Sequence, residues 1–401
     1  MAGVTALALS ACGGTSTDSP SSDSANSAAS SSESTASTQW SQAPLPTQPM
    51  SDADASALDN AVTQALAEGL DGAPGAWVGV WLPDKGVHVA AYGKATDSAD
   101  ATIEDHNYIG SLTKTATATA VLQQVDQGTI ALTDTVADLD PALAEKFPPI
   151  ADITLKDLLT MNSGLPDYGN EPKGVIGMVA NDPTSTFSAE DLIRIGLEAN
   201  EIRPVGTPGY STTNYIILGE VLAAVTGKTP EELVTGVFAQ VGMTQSALLT
   251  PGDPRPAPAS DGHLGVLGAI AVVQFGGPQL SETTNVTDWT MSWGRAGGGA
   301  YSTITDLGLW GASGLGNTLL SQSLGDARLT DTVETPDAGP YGYGIIDYGN
   351  GWYGHSGQVI GWEAEVRDNP ETGAVIAVMV NSTESLGDIT SAVIQAVGLA
   401  E

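Results

Sequence analysis

Ser111 and Lys114 stand three residues apart at the head of a helical pattern that continues through Val121, Leu122 and Val125, which puts both on one helix face. A serine hydroxyl is a poor nucleophile until a neighbouring base takes its proton. A lysine desolvated in a cleft loses enough basicity to be that base. The helix start adds unpaired N–H groups and a positive dipole end where an oxyanion would develop. The chemistry implied is acyl transfer through a serine ester. Taken alone, Ser-x-x-Lys reads more readily as a capping serine and a solvated lysine. A second serine lies in Gly354-His355-Ser356-Gly357-Gln358, one residue short of the Gly-x-Ser-x-Gly elbow of another hydrolase class. There Gln358 occupies the last glycine position, and a strand pattern rather than a helix follows. Four scattered histidines (His88, His106, His263, His355) and a single cysteine provide neither a local metal-ligand cluster nor an internal disulfide. No metal and no organic cofactor are expected.

The elements that must hold such a site are legible at both ends of the chain. Ser51 is placed as an N-cap three residues before Asp54, and Leu58, Val62, Ala65 and Leu66 follow at helical spacing. Ala76 to Leu82 and Val87 to Tyr92 flank a Pro-Asp-Lys-Gly turn and predict a hairpin. From Ser111 to about Gly242 the patterns are mostly helical. Strands are predicted again at Val359 to Val366 and Ala374 to Val380, before a closing helix near Asp388 to Val397. This order predicts an α/β fold whose sheet is built from the two termini, with a mainly helical domain inserted between them and the site in the cleft they share. The 401 residues are 41% hydrophobic and 15% charged, enough for a large core. The net charge of −34 repels phosphate backbones and anionic lipid surfaces, which excludes nucleic acid as a partner.

Three ordered motifs give the pair its context. After Ser111-Leu112-Thr113-Lys114 come Thr154 to Tyr168 (TLKDLLTMNSGLPDY), Pro208 to Val221 (PGYSTTNYIILGEV) and Gly354-His355-Ser356-Gly357. From about Asp54 to the C-terminus the chain resembles the serine β-lactamase and DD-peptidase superfamily, in its class C-like branch of penicillin-binding proteins, carboxypeptidases and esterases. The resemblance implies an antiparallel sheet flanked by N- and C-terminal helices with an inserted helical domain. It implies Ser111 as the acylated nucleophile, with Lys114 and the motif tyrosine Tyr210 sharing the proton transfers. It makes Thr212 the counterpart of the family's motif asparagine, an alternative register through Asn214 being less consistent with the residues that follow. His355, Ser356 and Gly357 match the third motif, and the Gln358 N–H would join that of Ser111 in an oxyanion hole. His355 stands where a lysine is usual, which leans away from an efficient β-lactamase. No Arg or Lys lies between Tyr341 and Gly354, so a partly protonated His355 is expected to meet a substrate carboxylate, with binding that improves toward pH 6.5.

The first residues carry a different signal. Leu7-Ala8-Leu9-Ser10-Ala11-Cys12 resembles a bacterial lipobox, so residues 1–11 are expected to be a signal remnant and Cys12 the site of lipid attachment. The first basic residue is Lys85, which leaves this leader without a basic n-region, and its start is expected to be truncated or mis-called. Between Gly13 and Ser41, 16 of 29 residues are Ser or Thr, a composition that cannot offset ordering entropy by burial. Residues 12–50 are therefore expected to be a disordered tether and 51–401 the hydrolase domain. The expected protein is an extracytoplasmic, lipid-anchored serine hydrolase that touches the membrane only through acyl chains. Its substrate is expected to be a small cell-wall peptide cleaved as by a D-alanyl-D-alanine carboxypeptidase, or else an ester or β-lactam. A penicillin-binding or cell-surface module without catalysis would share the fold, and the presence of Ser111, Lys114 and Tyr210 together speaks against it.

Overall fold

In the computed structural model, which describes residues 39–68, 73–383 and 386–399, the two ends of the chain meet in one sheet. Strand Gly75–Leu82 pairs antiparallel with Gly86–Thr96 on one side and with Ala374–Val380 on the other, Val78 lying opposite Val378. Beyond Ala374–Val380 the sheet continues through Trp362–Asn369, Trp352–Val359, Ile346–Gly349, Gly339–Tyr341 and Val333–Thr335, and Ala99–Asp100 closes the far edge. These nine strands form one antiparallel sheet, and Asn107–Tyr108, Ala300–Ser302 and Ala247–Leu248 make a second, three-stranded one.

The central strand GAWVGVWL is apolar throughout because both of its faces are covered. Side chains alternate across a strand. Ala76, Val78, Val80 and Leu82 join Ile376, Val378 and Val380 beneath the terminal helices Asp52–Glu68 and Leu386–Ala396, which supply Leu58, Val62, Ile389 and Val393. Trp77 and Trp81, with Val375, Ala377 and Met379, face the other way into the larger core shared with the inserted helices. The first helix is capped as its sequence predicts: Ser51 Oγ accepts from the Asp54 amide at 3.2 Å. In the chain, between the N-terminal and C-terminal strands of the sheet, come the helices Thr113–Asp126, Ala189–Ala199, Thr213–Thr226 and Pro230–Gln240.

Three features differ from the sequence reading. The run Val359 to Val366 is not one strand, because a two-residue turn at Ile360-Gly361 breaks it; Val359 pairs with Trp362, and Gly361 takes φ +94°. The strands at 333–349 lack sustained alternation and were not predicted; their short segments are defined by pairing with neighbours rather than by their own pattern. The folded body also begins before Ser51. Trp40 is buried against Gly314 and Gly325, its amide donates to Leu320 O at 3.1 Å, and Met50 pairs with Val87. Composition placed residues 39–50 in the tether because two large apolar side chains are few in a polar stretch, but each finds a prepared slot. Cys12 lies outside the described residues. Among the described residues, no helix is long and apolar enough to cross a membrane.

Candidate active site

Ser111 sits in a short 3-10 turn, Gly110–Leu112, that runs directly into the helix Thr113–Asp126. That helix is buried from Thr113 to Leu122, on its polar side as well as its apolar one. Its alternating threonines make this possible by bonding inward: Thr115 Oγ1 donates to Leu112 O, Thr119 Oγ1 to Thr115 O and Thr117 Oγ1 to Ala296 O. The buried Arg328 braces the same turns, donating to Thr115 O at 2.8 Å and to Thr119 Oγ1 at 3.0 Å. The nucleophile thus stands at the end of a rigid rod.

One turn along, Lys114 Nζ lies 2.8 Å from Ser111 Oγ and donates to Gly297 O at 2.7 Å. The ammonium sits 5.0 Å from the centroid of the Tyr210 ring and 5.7 Å from that of Tyr215. Burial lowers its pKa to about 7, opposed by the negative charge of Asp167. Near neutrality a substantial share of Lys114 is therefore uncharged and able to accept a proton. Tyr210 is within hydrogen-bonding reach of Ser111, and burial pushes its phenol well above its ordinary value, so it stays protonated at the same pH.

The third motif approaches from the sheet. Along strand Trp352–Val359, His355 and Gly357 share the face turned to the nucleophile, while Ser356 points to the other side, across from Glu365 and beside Tyr348. Gly357 lacks a side chain for a steric reason: a Cβ there would lie 2.0 Å from Ile109 O and 2.7 Å from the Ser111 nitrogen. Gly110, at φ +51°, is the matching glycine, where a Cβ would come 2.5 Å from the Gln358 nitrogen. The two glycines let strand and turn touch backbone to backbone, which brings the Ser111 and Gln358 amides to one edge of the cleft. The Gln358 side chain leaves this contact, donating through Nε2 to Glu363 Oε1 at 2.8 Å.

His355 does not carry the charge expected of it. It is buried, Nε2 lies 2.9 Å from the Tyr341 hydroxyl, and Nδ1 is bonded to Ser356 O. Burial, the nearby Lys114 charge and Arg328 lower its pKa to about 3, against the Ser356 carbonyl, which raises it. A neutral ring whose Nδ1–H donates to the carbonyl and whose Nε2 accepts from the phenol satisfies both contacts. The pH-dependent anion partner inferred from sequence is thus a neutral positioning group.

Thr212 lies one contact from the lysine. Its methyl faces Gly297, where a Cβ would be only 2.6 Å away, and its amide donates to Asp167 Oδ1 at 3.2 Å. Asn214, the alternative for this position, is fully buried and bonded to Ser163 Oγ and Leu158 O, away from the cleft. The structure therefore brings together Ser111, Lys114, Tyr210, Thr212, His355, Gly357 and the Gln358 backbone, and turns Ser356 and the Gln358 side chain outward.

Sequence reasoning missed Asp167, Tyr341 and Gly297. Asp167 is buried, its oxygens taking the amides of Gly169 and Thr212 and the Asn170 side chain, and its charge acts on Lys114 and Tyr210. Its signal was the polar end of SGLPDY. Gly297 sits in a Gly-rich segment 183 residues from Lys114, and only a glycine run hinted at it. Of the cations outside the cleft, Arg295 is bonded to Phe187 O and Arg367 to Glu365.

Residues 59–398 match the family model described as Beta-lactamase. The putative penicillin-binding protein PbpX of Bacillus subtilis (strain 168) is 32% identical over 154 residues, covering 38% of this chain and 35% of that protein. Penicillin-binding protein 4 of Amycolatopsis lactamdurans is 29% identical over 167 residues, covering 40% of each. The chain thus spans well under half the length of these curated relatives. Among solved structures, the D-amino acid amidase of Ochrobactrum anthropi SV3, complexed with L-phenylalanine amide, is similar with a TM-score of 0.72 at 21% identity, covering 85% of this chain and 98% of that one. The D-stereospecific amidohydrolase of a Streptomyces species gives 0.69 at 23% identity, covering 85% and 99%. A penicillin-binding protein of Bacillus halodurans gives 0.67 at 22%, covering 84% and 99%. These likenesses establish the shared fold.

Proposed function

Because the chain belongs to the β-lactamase family, within the serine β-lactamase and DD-peptidase superfamily, we propose that it hydrolyses an amide or ester of a D-amino acid through an acyl-enzyme on Ser111. The observation that carries this reading is the 2.8 Å contact between Ser111 Oγ and a lysine whose pKa is lowered to about 7. Neutral Lys114 takes the hydroxyl proton as Ser111 Oγ bonds to the substrate carbonyl. The negative charge that develops on the carbonyl oxygen is met by the Ser111 and Gln358 amides. As the tetrahedral intermediate collapses, the C–N or C–O bond breaks and the leaving group receives the proton from Lys114, relayed through the Tyr210 hydroxyl. Water then attacks the ester with Lys114 again accepting the proton; as the acyl C–O bond breaks, Ser111 Oγ takes that proton back from Lys114 and the acid departs.

The first substrate reading is a cell-wall peptide ending in D-alanyl-D-alanine, cleaved as by a carboxypeptidase, which the penicillin-binding relatives support. A second is favoured by a specific observation, the charge of the cleft: His355 is neutral, Asp167 is negative, and Lys114 is partly uncharged near neutrality. An anionic C-terminus gains little there, whereas an amide-capped D-amino acid bearing a free ammonium meets the Asp167 field. Two of the fold's neighbours are named as a D-amino acid amidase and a D-stereospecific amidohydrolase, which supports this reading. The protein's location outside the cytoplasm, tethered through Cys12, belongs to the same proposal.

Intact-mass measurement after exposure to a β-lactam should show one acyl adduct, absent in Ser111→Ala. An adduct that persists in that variant, or that maps to Ser356, would overturn the assignment. Steady-state rates for D-alanyl-D-alanine and for its C-terminal amide decide between the substrates: faster turnover of the free acid supports the carboxypeptidase, and faster turnover of the amide supports the amidase.

A further inference from the structure

The short helix Leu155–Leu159 ends in a Schellman turn: Met161 N donates to Leu158 O at 3.5 Å and Asn162 N to Asp157 O at 2.8 Å. Such a turn places the residue after the C-cap, here Thr160, in the left-handed region, where glycine is the usual occupant. This chain has Met161 there, at φ +59°, with its side chain fully buried. Backbone strain that a glycine would relieve is borne for the sake of this side chain. Its contacts show what it holds. The Ser211 amide donates to Met161 Sδ at 3.3 Å, and Asn214 Nδ2 approaches the same sulfur at 3.6 Å. The backbone oxygen of Met161 accepts from the Gly209 amide at 3.0 Å. Tyr210 lies between those two amides, so Met161 grips the chain on either side of it, once through the main chain and once through sulfur. The same two segments run side by side for two further bonds, Gly206 N to Asn162 O at 2.9 Å and Arg203 N to Gly164 O at 3.0 Å.

We propose that Met161 is the positioning residue of Tyr210, and that through it the enzyme's rate on substrates whose leaving group must be protonated is set. The inference rests on the proposed function in one point, the proton relay through the Tyr210 hydroxyl; the grip itself does not depend on it. Ser211 is fully buried, so its amide has no water to turn to if the sulfur is removed. A leucine would fill nearly the same space and offer that amide no acceptor. The amide must then move toward another partner, and Tyr210 is the residue it carries along. The neighbours of the tyrosine ring, Tyr341 and His355 with centroids 6.1 and 6.3 Å away, touch the ring and not the main chain that bears it.

The chemistry separates two kinds of substrate. As the tetrahedral intermediate collapses and its C–N or C–O bond breaks, an amine or an alkoxide has to receive a proton, which reaches it from Lys114 through the phenol. A p-nitrophenolate leaves as a stable anion and takes none. A displaced phenol therefore slows the first kind and spares the second.

Two measurements on the full chain test this. Amide hydrogen exchange reads the grip without any turnover: the Ser211 amide should be protected in the native protein, and in Met161→Leu its exchange should rise at least about tenfold. The Gly209 amide, whose acceptor is a main-chain oxygen, should not change. Rapid exchange of Ser211 in the native protein, which needs no variant to fold, or unchanged exchange in Met161→Leu would overturn the proposal. The second measurement is kcat/KM for the methyl and p-nitrophenyl esters of D-alanine, which share one acyl group. Met161→Leu should lower the methyl ester at least about tenfold, a part of what a placed proton donor supplies, and the p-nitrophenyl ester no more than about threefold. Tyr210→Phe is the reference and should show the same bias. Equal losses in Tyr210→Phe, or no turnover of either ester by the native protein, would sink the relay and the role of Met161 with it. Bias in Tyr210→Phe but equal losses in Met161→Leu would overturn Met161 alone.

Discussion

Burial depresses Lys114 while the Asp167 charge partly restores it, so the rate should follow the balance of the two. Protonated Lys114 cannot accept the Ser111 proton. With an uncharged ester, kcat/KM should therefore rise with pH through an inflection near 7. Asp167 favours the ammonium, so Asp167→Asn should move that inflection to lower pH, whereas Tyr210→Phe should lower the rate and leave the inflection in place. An inflection that vanishes with Tyr210→Phe would make the phenol the titrating base instead. Tyr341 has a subtler role at the same scale. Tyr341→Phe leaves His355 Nε2 buried without its donor, at a cost of about 1–3 kcal/mol, and frees the ring to exchange tautomers. Nitrogen NMR should show the Nε2–H form appearing, with a lower kcat and the inflection near pH 7 unmoved. A single unchanged tautomer would reduce Tyr341 to packing.

The strand Trp352–Val359 and the nucleophile turn act as one element because two glycines permit backbone contact. In Gly357→Ala the new methyl would lie 2.0 Å from Ile109 O and 2.7 Å from the Ser111 nitrogen, both backbone atoms that no rotamer change can move. Strand and turn must separate, which pulls the Gln358 amide from its place beside Ser111. Acylation should fall about 10²–10³-fold, the typical effect of losing one oxyanion donor, with a stability loss of about 1–3 kcal/mol from overpacking. Stopped-flow acylation beside thermal denaturation measures both. Near-normal acylation would mean that the Gln358 N–H is not part of the oxyanion hole.

Over the whole molecule, a net charge of −34 opposes compaction through self-repulsion. Several ion pairs that might offset it are solvent-exposed and contribute little: Lys94 with Asp100, Lys146 with Glu190, Lys156 with Asp331 and Arg194 with Asp191. Raising salt from 0.1 to 1 M shortens the screening length from about 10 to about 3 Å and should raise Tm. A Tm that falls with salt would show that attractive pairs outweigh the repulsion. The segment 39–50 belongs to this scale as well, since Trp40 ties it to the body by packing on Gly314 and Gly325. Trp40→Ala should cost about 3–5 kcal/mol, as for other buried tryptophans, measured by urea denaturation; a negligible loss would return residues 39–50 to the tether.

What was legible in the sequence was local or periodic. Ser111 and Lys114 share a face because helical geometry alone fixes residues three apart, and the hairpin of Gly75–Leu82 with Gly86–Thr96 shows in its composition and its turn. The ordered motifs, each short, carried the family and with it the fold. The neutral state of His355, the acceptor Gly297 O and the field of Asp167 were not legible. Each depends on segments tens to hundreds of residues apart being packed together, and a residue's charge state follows from the solvent and charges that packing leaves around it, not from its neighbours in the chain. For the same reason Ser356 and Gly357, adjacent in one motif, face opposite sides of the sheet: the sequence named both, and only the pairing of the strand with the nucleophile turn decided which one reaches Ser111.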